Sequence, residues 1–424
     1  SEDQMLVCTW DSLGPVYLVE NFRSEDPSQI TVKRIASGLA EPLGIKVVDG
    51  DIYVLQKQEL TKLVDNDGDG IIDEYQTIAD DWTVSSNFHE FAFGLVYKDG
   101  YFYGALATDI LPGGASANPQ PKDRGKILKV SKETGEVQLI ASGLRTPNGI
   151  GIGVDGEIFV ADNQGDWLPA SKINHVKEGA WYGSRSVDFE GTEGKVQDEP
   201  VVWLPQDEIG NSPSTPLYMD KGPYAGQMIH CEVTHGGVKR VYVEKVDGNY
   251  QGAVFRFSQG IEAGVNRLAW APDGSLLVGG IGVSGNWGQT GKLHYGLQRM
   301  VYNGKSTFEM LKVKAKSDGF EIEFTEPIKE GQVISPENFQ IEQFYFKPTA
   351  EYGGPKLGLE TMTPKEFSLS ADRKTVAFKL DGLKEKHMVY FRVKRPFVSA
   401  EDHELWTTEA WYTLTSIPEN DPVN

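Results

Sequence analysis

An Asp-Gly pair set between two apolar runs recurs along this chain: PLGIKVVDGDIYVLQ (42–56), FAFGLVYKDGYFYGAL (91–106), NGIGIGVDGEIFVAD (148–162) and NRLAWAPDGSLLVGG (266–280). A two-residue turn needs positive φ at its centre, which Asp-Gly tolerates, so each copy predicts a tight β-hairpin. LYMDKGPYAGQMIHCEV (217–233) is a looser copy, and MLVCTWDSLGPVYLVEN (5–21) reads as the later strands of another. The spacing of about 50 to 65 residues is that of a four-stranded propeller blade with its loops. Third and fourth strands follow most hairpins, as in ELTKLVD with EYQTIAD and GKILKVS with GEVQLIAS. A solenoid or a sandwich would explain some hairpins but not this repeated hairpin-plus-two-strand unit. The expected fold is therefore all-β, a six-bladed β-propeller over residues 1–307. Its first blade lacks its opening strand, which is expected to lie before Ser1 or to be supplied elsewhere.

Beyond about residue 307 the pattern changes to short alternating strands without Asp-Gly hairpins: FEIEFTEPI, ENFQIEQFYF, KTVAFKL, MVYFRV and AWYTLTS. Residues 308–424 are expected to form a small immunoglobulin-like β-sandwich, a type of module used for attachment, spacing or carbohydrate contact. The composition suits both parts, with 47 Gly, 9 Trp and 17 Tyr in 424 residues.

A net charge of −20 would repel a phosphate backbone, and no basic run or aromatic RNA-binding motif is present, so nucleic acid is not an expected partner. No stretch reaches the apolar length of a membrane span. Cys8 and Cys231 both lie in apolar runs and read as two buried thiols rather than a disulfide.

DNDGDGIID (65–73) fits D-x-D-x-D-G-x-x-D. The carboxylates of Asp65, Asp67, Asp69 and Asp73 and the carbonyl of Ile71 are hard oxygen donors at a spacing that suits Ca²⁺, and Gly70 permits the sharp turn. Position 12 is Gln76 rather than the Glu of an EF-hand, and strands flank the loop, so the ion is expected to act as a staple. A plain acidic turn is the alternative.

SSNFHEFAFG (85–94) places His89 and Glu90 at the entry of an inner strand. LRTPNG (144–149) enters the next blade and ADNQGDW (161–167) leaves its hairpin, so Arg145, Asn148, Asp162, Asn163, Asp166 and Trp167 are expected at the same mouth as His89. Propellers build sites from such loops. EVTHGGVKR (232–240) adds His235, Lys239 and Arg240, with a solvated hairpin as the equal alternative. The glycine-rich run at 280–299, with Trp287 and His294, suits sugar contact, since an indole face stacks on a pyranose. No nucleophile elbow, zinc helix, haem attachment or dinucleotide fingerprint occurs. A hydrolase or lyase site built from Asp162, Asp166, Glu90 and His89 stays open.

SSNFHEFAFGLVYKDGYFYGAL and LRTPNGIGIGVDGEIFVADNQGDW followed by INHVKEGAWYG resemble segments of the glucose/sorbosone dehydrogenase family, the soluble quinoproteins. GLAEPLGIKV, ELTKLVDNDGDGIIDEYQTIADDW, GPYAGQM, KVDGNYQGAVF and YGLQRMVYNG are similar to a bacterial branch often described as membrane-bound dehydrogenases. The resemblance covers residues 1–307. It implies a six-bladed propeller, pyrroloquinoline quinone (PQQ) as cofactor and a sugar as substrate, with His89 taking the proton of a sugar hydroxyl. It also implies that Arg145, Asn148, Asn163, Gly165, Asp166 and Arg267 lie in the cofactor-and-calcium region. The chain departs from the family pattern in two places: Arg145-Thr146-Pro147-Asn148 stands for Arg-Asn-x-Gln, and Asn266 replaces an arginine that appears one place on as Arg267.

The expected function is thus a carbohydrate-acting propeller, a PQQ-dependent sugar dehydrogenase with catalytic His89, Arg145 and Asp162 and with Trp167, His235 and Trp287 contacting substrate. The alternatives are a non-catalytic glycan-binding or surface-complex component and a polysaccharide lyase or glycosidase. The expected location is extracytoplasmic, with a surface-complex or electron-acceptor protein as partner.

Overall fold

The structure is a computed structural model that describes residues 2–282 and 291–423, and among these it contains strands and three short 3-10 turns but no α-helix. Among the described residues no helix is long and apolar enough to cross a membrane. The chain divides into two compact units, one of residues 1–151, 176–198 and 271–273 and the other of 152–175, 199–270 and 274–424.

The first unit contains three antiparallel meanders. Strands β1 (Gln4–Cys8), β2 (Val16–Glu20) and β3 (Thr31–Ala36) form a three-stranded sheet. Strands β4 (Gly44–Val48), β5 (Asp51–Leu55), β6 (Leu60–Val64) and β7 (Glu74–Ala79) form the second sheet. Strands β8 (Ala92–Lys98), β9 (Tyr101–Leu106), β10 (Lys126–Ser131) and β11 (Val137–Ala141) form the third. The β4–β5 and β8–β9 turns take positive φ at both central residues, 53° and 89° at Asp49 and Gly50, and 51° and 86° at Asp99 and Gly100. This is the type I′ geometry whose twist matches its flanking strands, and it explains the recurrent Asp-Gly. Tyr53, Leu55, Leu60, Phe102, Leu106 and Leu128 share one buried core in this unit. Where β4 passes β8, a Cβ on Gly44 would lie 2.2 Å from the Gly94 carbonyl oxygen, so only glycine permits the approach.

Strand β12 (Gly149–Ile152) carries the chain into the second unit. There β13 (Ile158–Asp162), β14 (Ser171–His175) and β15 (Val202–Leu204) pair in succession. Strands β16 (Pro213–Tyr218), β17 (Met228–Glu232), β18 (Val238–Val246) and β19 (Asn249–Ser258) form the next meander, and β20 (Gly264–Trp270), β21 (Leu276–Ile281) and β22 (Tyr295–Met300) another. A further Asp-Gly turn, Asp247–Gly248 at 48° and 80°, joins β18 to β19.

The remaining strands are β23 (Met310–Lys316), β24 (Gly319–Phe324), β25 (Phe339–Tyr345), β26 (Leu357–Met362), β27 (Lys365–Leu369), β28 (Thr375–Lys379), β29 (His387–Val393) and β30 (Glu409–Leu414). Four of them form a sheet in the order β23-β24-β28-β27. The other four extend the β16–β19 meander edge to edge, giving an eight-stranded sheet in the order β16-β17-β18-β19-β30-β29-β25-β26. At the junction Gly252, Ala253 and Val254 pair with Thr413, Tyr412 and Trp411. The edge of β19, which would otherwise offer unpaired N–H and C=O groups, is thereby closed. Phe255 of β19 joins Phe320, Phe378, Phe391 and Tyr412 in one core, so the C-terminal strands share apolar burial as well as hydrogen bonds with that meander. Both cysteines are free thiols; Cys231 is buried as expected, whereas Cys8 is half-buried.

Candidate functional site

His89 lies in the first unit, at the end of the turn that precedes β8, and is only 4% exposed. The backbone reaches it through a fixed turn: Asn87 N–H donates to Ser85 Oγ, and His89 N–H donates to Asn87 Oδ1. The ring meets two partners. Nδ1 lies 2.8 Å from the Thr108 carbonyl oxygen, and Nε2 lies 3.3 Å from Thr146 Oγ1. A carbonyl can only accept, so Nδ1 carries the proton and Nε2 holds the lone pair toward which the Thr146 hydroxyl donates. Thr146 in turn accepts from Arg145 Nη1 at 3.0 Å. Arg145, Thr146, His89 and Thr108 therefore form a hydrogen-bond chain with one direction, set by its two ends. Burial pushes the His89 pKa down to about 4, with the Arg145 and Arg124 cations acting the same way and the Thr108 hydrogen bond opposing them. The ring is neutral above that pH.

Glu90, beside it, is fully buried, and Asp109 is 6% exposed. Ser85 joins the two carboxyls: its N–H donates to Glu90 Oε2, and its hydroxyl donates to Asp109 Oδ2 at 3.2 Å. Lys57 Nζ and Arg124 Nε lie 3.9 and 4.0 Å from the Glu90 oxygens. Arg124 itself is fixed by donating to the Ala107 and Phe91 carbonyls. Thr108, Asp109, Arg124 and Lys57 lie outside the candidates that the sequence motifs offer. The repeat held a signal for Asp109, since LATD (106–109) leaves its hairpin as VADN (160–163) leaves the next.

The acidic loop 65–73 is also in the first unit. Asp65, Asp67 and Asp73 each place a carboxylate oxygen within 4.8 Å of the others. That separation fits donors around one calcium ion, whose oxygen ligands sit at about 2.3–2.6 Å. The loop is preshaped: Asp65 accepts from the N–H groups of Gly68 and Gly70 at 2.8 Å each, and Asp73 accepts from that of Asn66 at 2.8 Å. Gly68 and Gly70 both have φ of 78°. Asp69 stands outside the convergent trio; its carboxylate accepts from Ile71 N–H, and its carbonyl accepts from Lys33 Nζ.

Asn148 lies buried in the first unit, whereas Asp162, Asn163, Gly165, Asp166, Trp167, His235 and Arg267 lie in the second. Asp162 closes β13, is fully buried, and stands opposite Lys172 in the strand register. Ser171 Oγ donates toward Asn163 Oδ1 and Gln164 Oε1. The Gly165–Trp167 stretch is bound by the connection between β25 and β26: Trp167 N–H donates to the Thr349 carbonyl, Gly353 N–H donates to the Gly165 carbonyl, and Asp166 pairs with Tyr352. Arg267 Nη1 is engaged by Ser214 Oγ at 2.8 Å and by Asn266. His235 faces Asp207 at 3.4 Å. Arg240 points elsewhere, donating to Gln227 and to the carbonyls of Met310 and Leu311, so His235, Lys239 and Arg240 do not act as one cluster. Lys239 is 1% exposed, and burial lowers its pKa to about 8. Trp287 lies outside the described residues, as its whole stretch 283–290 does.

PQQ is a tricarboxylate and needs cationic donors that face it. Arg145 is 2% exposed and donates to the Gly114 carbonyl as well as to Thr146. Arg267 is held as described, and the Gly165 carbonyl already accepts from Gly353. As placed, these groups are committed to the chain itself and do not fit the quinone.

No protein-family model matches the chain, and no curated protein does. Solved structures similar to it include a protein from Thermus thermophilus described as an oxidoreductase (glucose dehydrogenase). It is 16% identical with a TM-score of 0.49, the match covering 70% of this chain and 100% of that one. The PQQ-bound aldose sugar dehydrogenase of Streptomyces coelicolor is 15% identical with a TM-score of 0.37, covering 64% and 97%. The holo PQQ domain of a pyranose dehydrogenase from Coprinopsis cinerea is 11% identical with a TM-score of 0.31, covering 97% and 93%. The descriptions of these three proteins name sugar dehydrogenases, as does the family that the sequence motifs resemble.

Proposed function

We propose that this protein is a carbohydrate-acting oxidoreductase of the propeller type, with His89 as the group that takes the proton of a sugar hydroxyl. The observation that carries the reading is the fixed tautomer of His89: Nδ1–H is spent on Thr108, and the ring is neutral with its Nε2 lone pair turned to a hydroxyl. The Thr146 hydroxyl donates to Nε2 as a substrate hydroxyl would. Nε2 is the group placed to accept the proton of that hydroxyl. A base with so low a pKa is weak, but it is unprotonated throughout the neutral range. The six successive meanders and the strands after residue 307 support the six-bladed propeller with an appended sandwich.

Calcium would be held by Asp65, Asp67 and Asp73, stapling the β6–β7 connection and supplying no reaction step. No step is derived through PQQ, because Arg145 and Arg267 are committed elsewhere. That commitment favours a second reading, a non-catalytic glycan-binding component of an extracytoplasmic surface complex.

The test is dye reduction by the purified protein with a panel of aldoses and Ca²⁺, with and without added PQQ. Aldose-dependent reduction that disappears in His89→Ala supports the first reading. Absence of reduction under every condition, together with binding on a glycan array, would establish the second.

A further inference from the structure

Beside His89, two carboxyl oxygens are buried without a hydrogen-bond donor among the described residues: Glu90 Oε1 and Asp109 Oδ1. Each carboxyl's other oxygen is bound by Ser85, which brings the two groups to one residue. Glu90 Oε1 has the Arg124 Nε at 4.0 Å, beyond hydrogen-bond reach, so both buried carboxyl oxygens lack a donor and call for a common partner. A single hydrogen bridging the two carboxyls would satisfy both.

We propose that Glu90 and Asp109 share one proton, and that this proton clasps the turn carrying His89 onto the chain leaving β9. The inference rests on the His89 reading for its functional meaning, though not for its test. The clasp has two neighbouring fastenings: His89 Nδ1–H to the Thr108 carbonyl, and Glu90 to Asp109 through the proton. Glu90 and Asp109 are thus positioning residues for His89.

The charges around the pair say which member keeps the proton. Lys57 and Arg124 stand on the Glu90 side at 3.9 and 4.0 Å, while Asp109 forms no ion pair among the described residues. The cations on the Glu90 side leave the shared proton to Asp109. Burial and the Glu90 charge raise the Asp109 pKa to about 6, opposed by the Ser85 hydrogen bond and by Arg124. The remaining charges are Arg145 beside His89, and Asp123 and Glu41, which act on Arg124.

A folded pKa raised above the unfolded one gives stability that is present below about pH 4 and lost as pH rises through about 6. The test compares urea unfolding midpoints of the full-length protein and its Asp109→Asn variant between pH 4 and 8. Wild type minus variant should fall across pH 4–6 and stay level above 7. In a second measurement, ¹⁵N-labelled histidine should show the neutral His89 ring nitrogens shifting with an inflection near pH 6. That inflection should be absent in Asp109→Asn and Glu90→Gln, whose amides supply a permanent hydrogen, while Asp109→Leu should displace the His89 signals at every pH. A level stability difference, or His89 signals indifferent to all three substitutions, would overturn the proposal. Neither measurement needs a substrate, so a failure of sugar oxidation would leave both readable.

Discussion

His89 Nδ1 and the Thr108 carbonyl oxygen are 2.8 Å apart, and this contact decides the chemistry of the ring. The carbonyl holds the proton on Nδ1, burial keeps a second proton off, and Nε2 is left as an acceptor turned toward the Thr146 hydroxyl.

Removal of the ring should separate chemistry from folding. General-base assistance contributes typically 10²–10⁴-fold, so His89→Ala should lose at least about a hundredfold in sugar-dependent turnover. The calcium response should be unchanged, because residues 65–73 make no use of His89. Steady-state dye reduction and thermal unfolding of the same preparations check both statements.

The lowered His89 pKa makes a pH prediction of opposite sign to that of Asp109. A histidine buried neutral contributes stability that is complete above its unfolded pKa, near 6.5, and lost as pH falls toward about 4. In His89→Gln, whose amide can still donate to Thr108, this dependence should vanish. Between pH 7 and pH 4 the wild type should lose about 3 kcal/mol relative to the variant. Denaturant unfolding at each pH measures the difference.

Calcium removal should be visible in stability alone. An ion bound at a hundred times its dissociation constant stabilises by about 2.7 kcal/mol, so chelation should lower Tm by several degrees. Asp67→Asn and Asp73→Asn should abolish that response. Asp65→Ala should also destabilise the chelated protein, because Asp65 accepts the Gly68 and Gly70 N–H groups whether or not an ion is present.

Two glycines should respond differently to alanine. At Gly44 a Cβ would meet the Gly94 carbonyl oxygen at 2.2 Å and its carbon at 2.5 Å, both main-chain atoms, so the strands themselves must part. Gly44→Ala should cost several kcal/mol, in the range of overpacked cores. Gly50 faces open space and is constrained only by its φ of 89°, so Gly50→Ala should cost about 1–2 kcal/mol. Urea midpoints of the two variants give the comparison.

The Asp-Gly hairpins were legible because their chemistry is local: positive φ at Asp49 and Asp99 selects the residues that tolerate it. Asp65, Asp67 and Asp73 were legible for the same reason, their spacing being the geometry. The meeting of Glu90 and Asp109 at Ser85 was not, since it depends on a Ser85–Asp109 hydrogen bond across 24 positions that no periodicity encodes. Nor was the edge-to-edge pairing of β19 with β30, because any strand with free N–H and C=O groups can pair and the sequence does not say with which. The commitment of Arg145 to Gly114 belongs to the same class: residue type suggested a cofactor ligand, whereas loop packing decides where the guanidinium points.

The His89 tautomer tests the account most directly. With ¹⁵N-labelled histidine in the full-length protein at pH 7, His89 should show a protonated Nδ1 and a bare Nε2, and should stay neutral until the pH approaches about 4. A proton on Nε2 at pH 7, or titration near the ordinary 6.5, would contradict it.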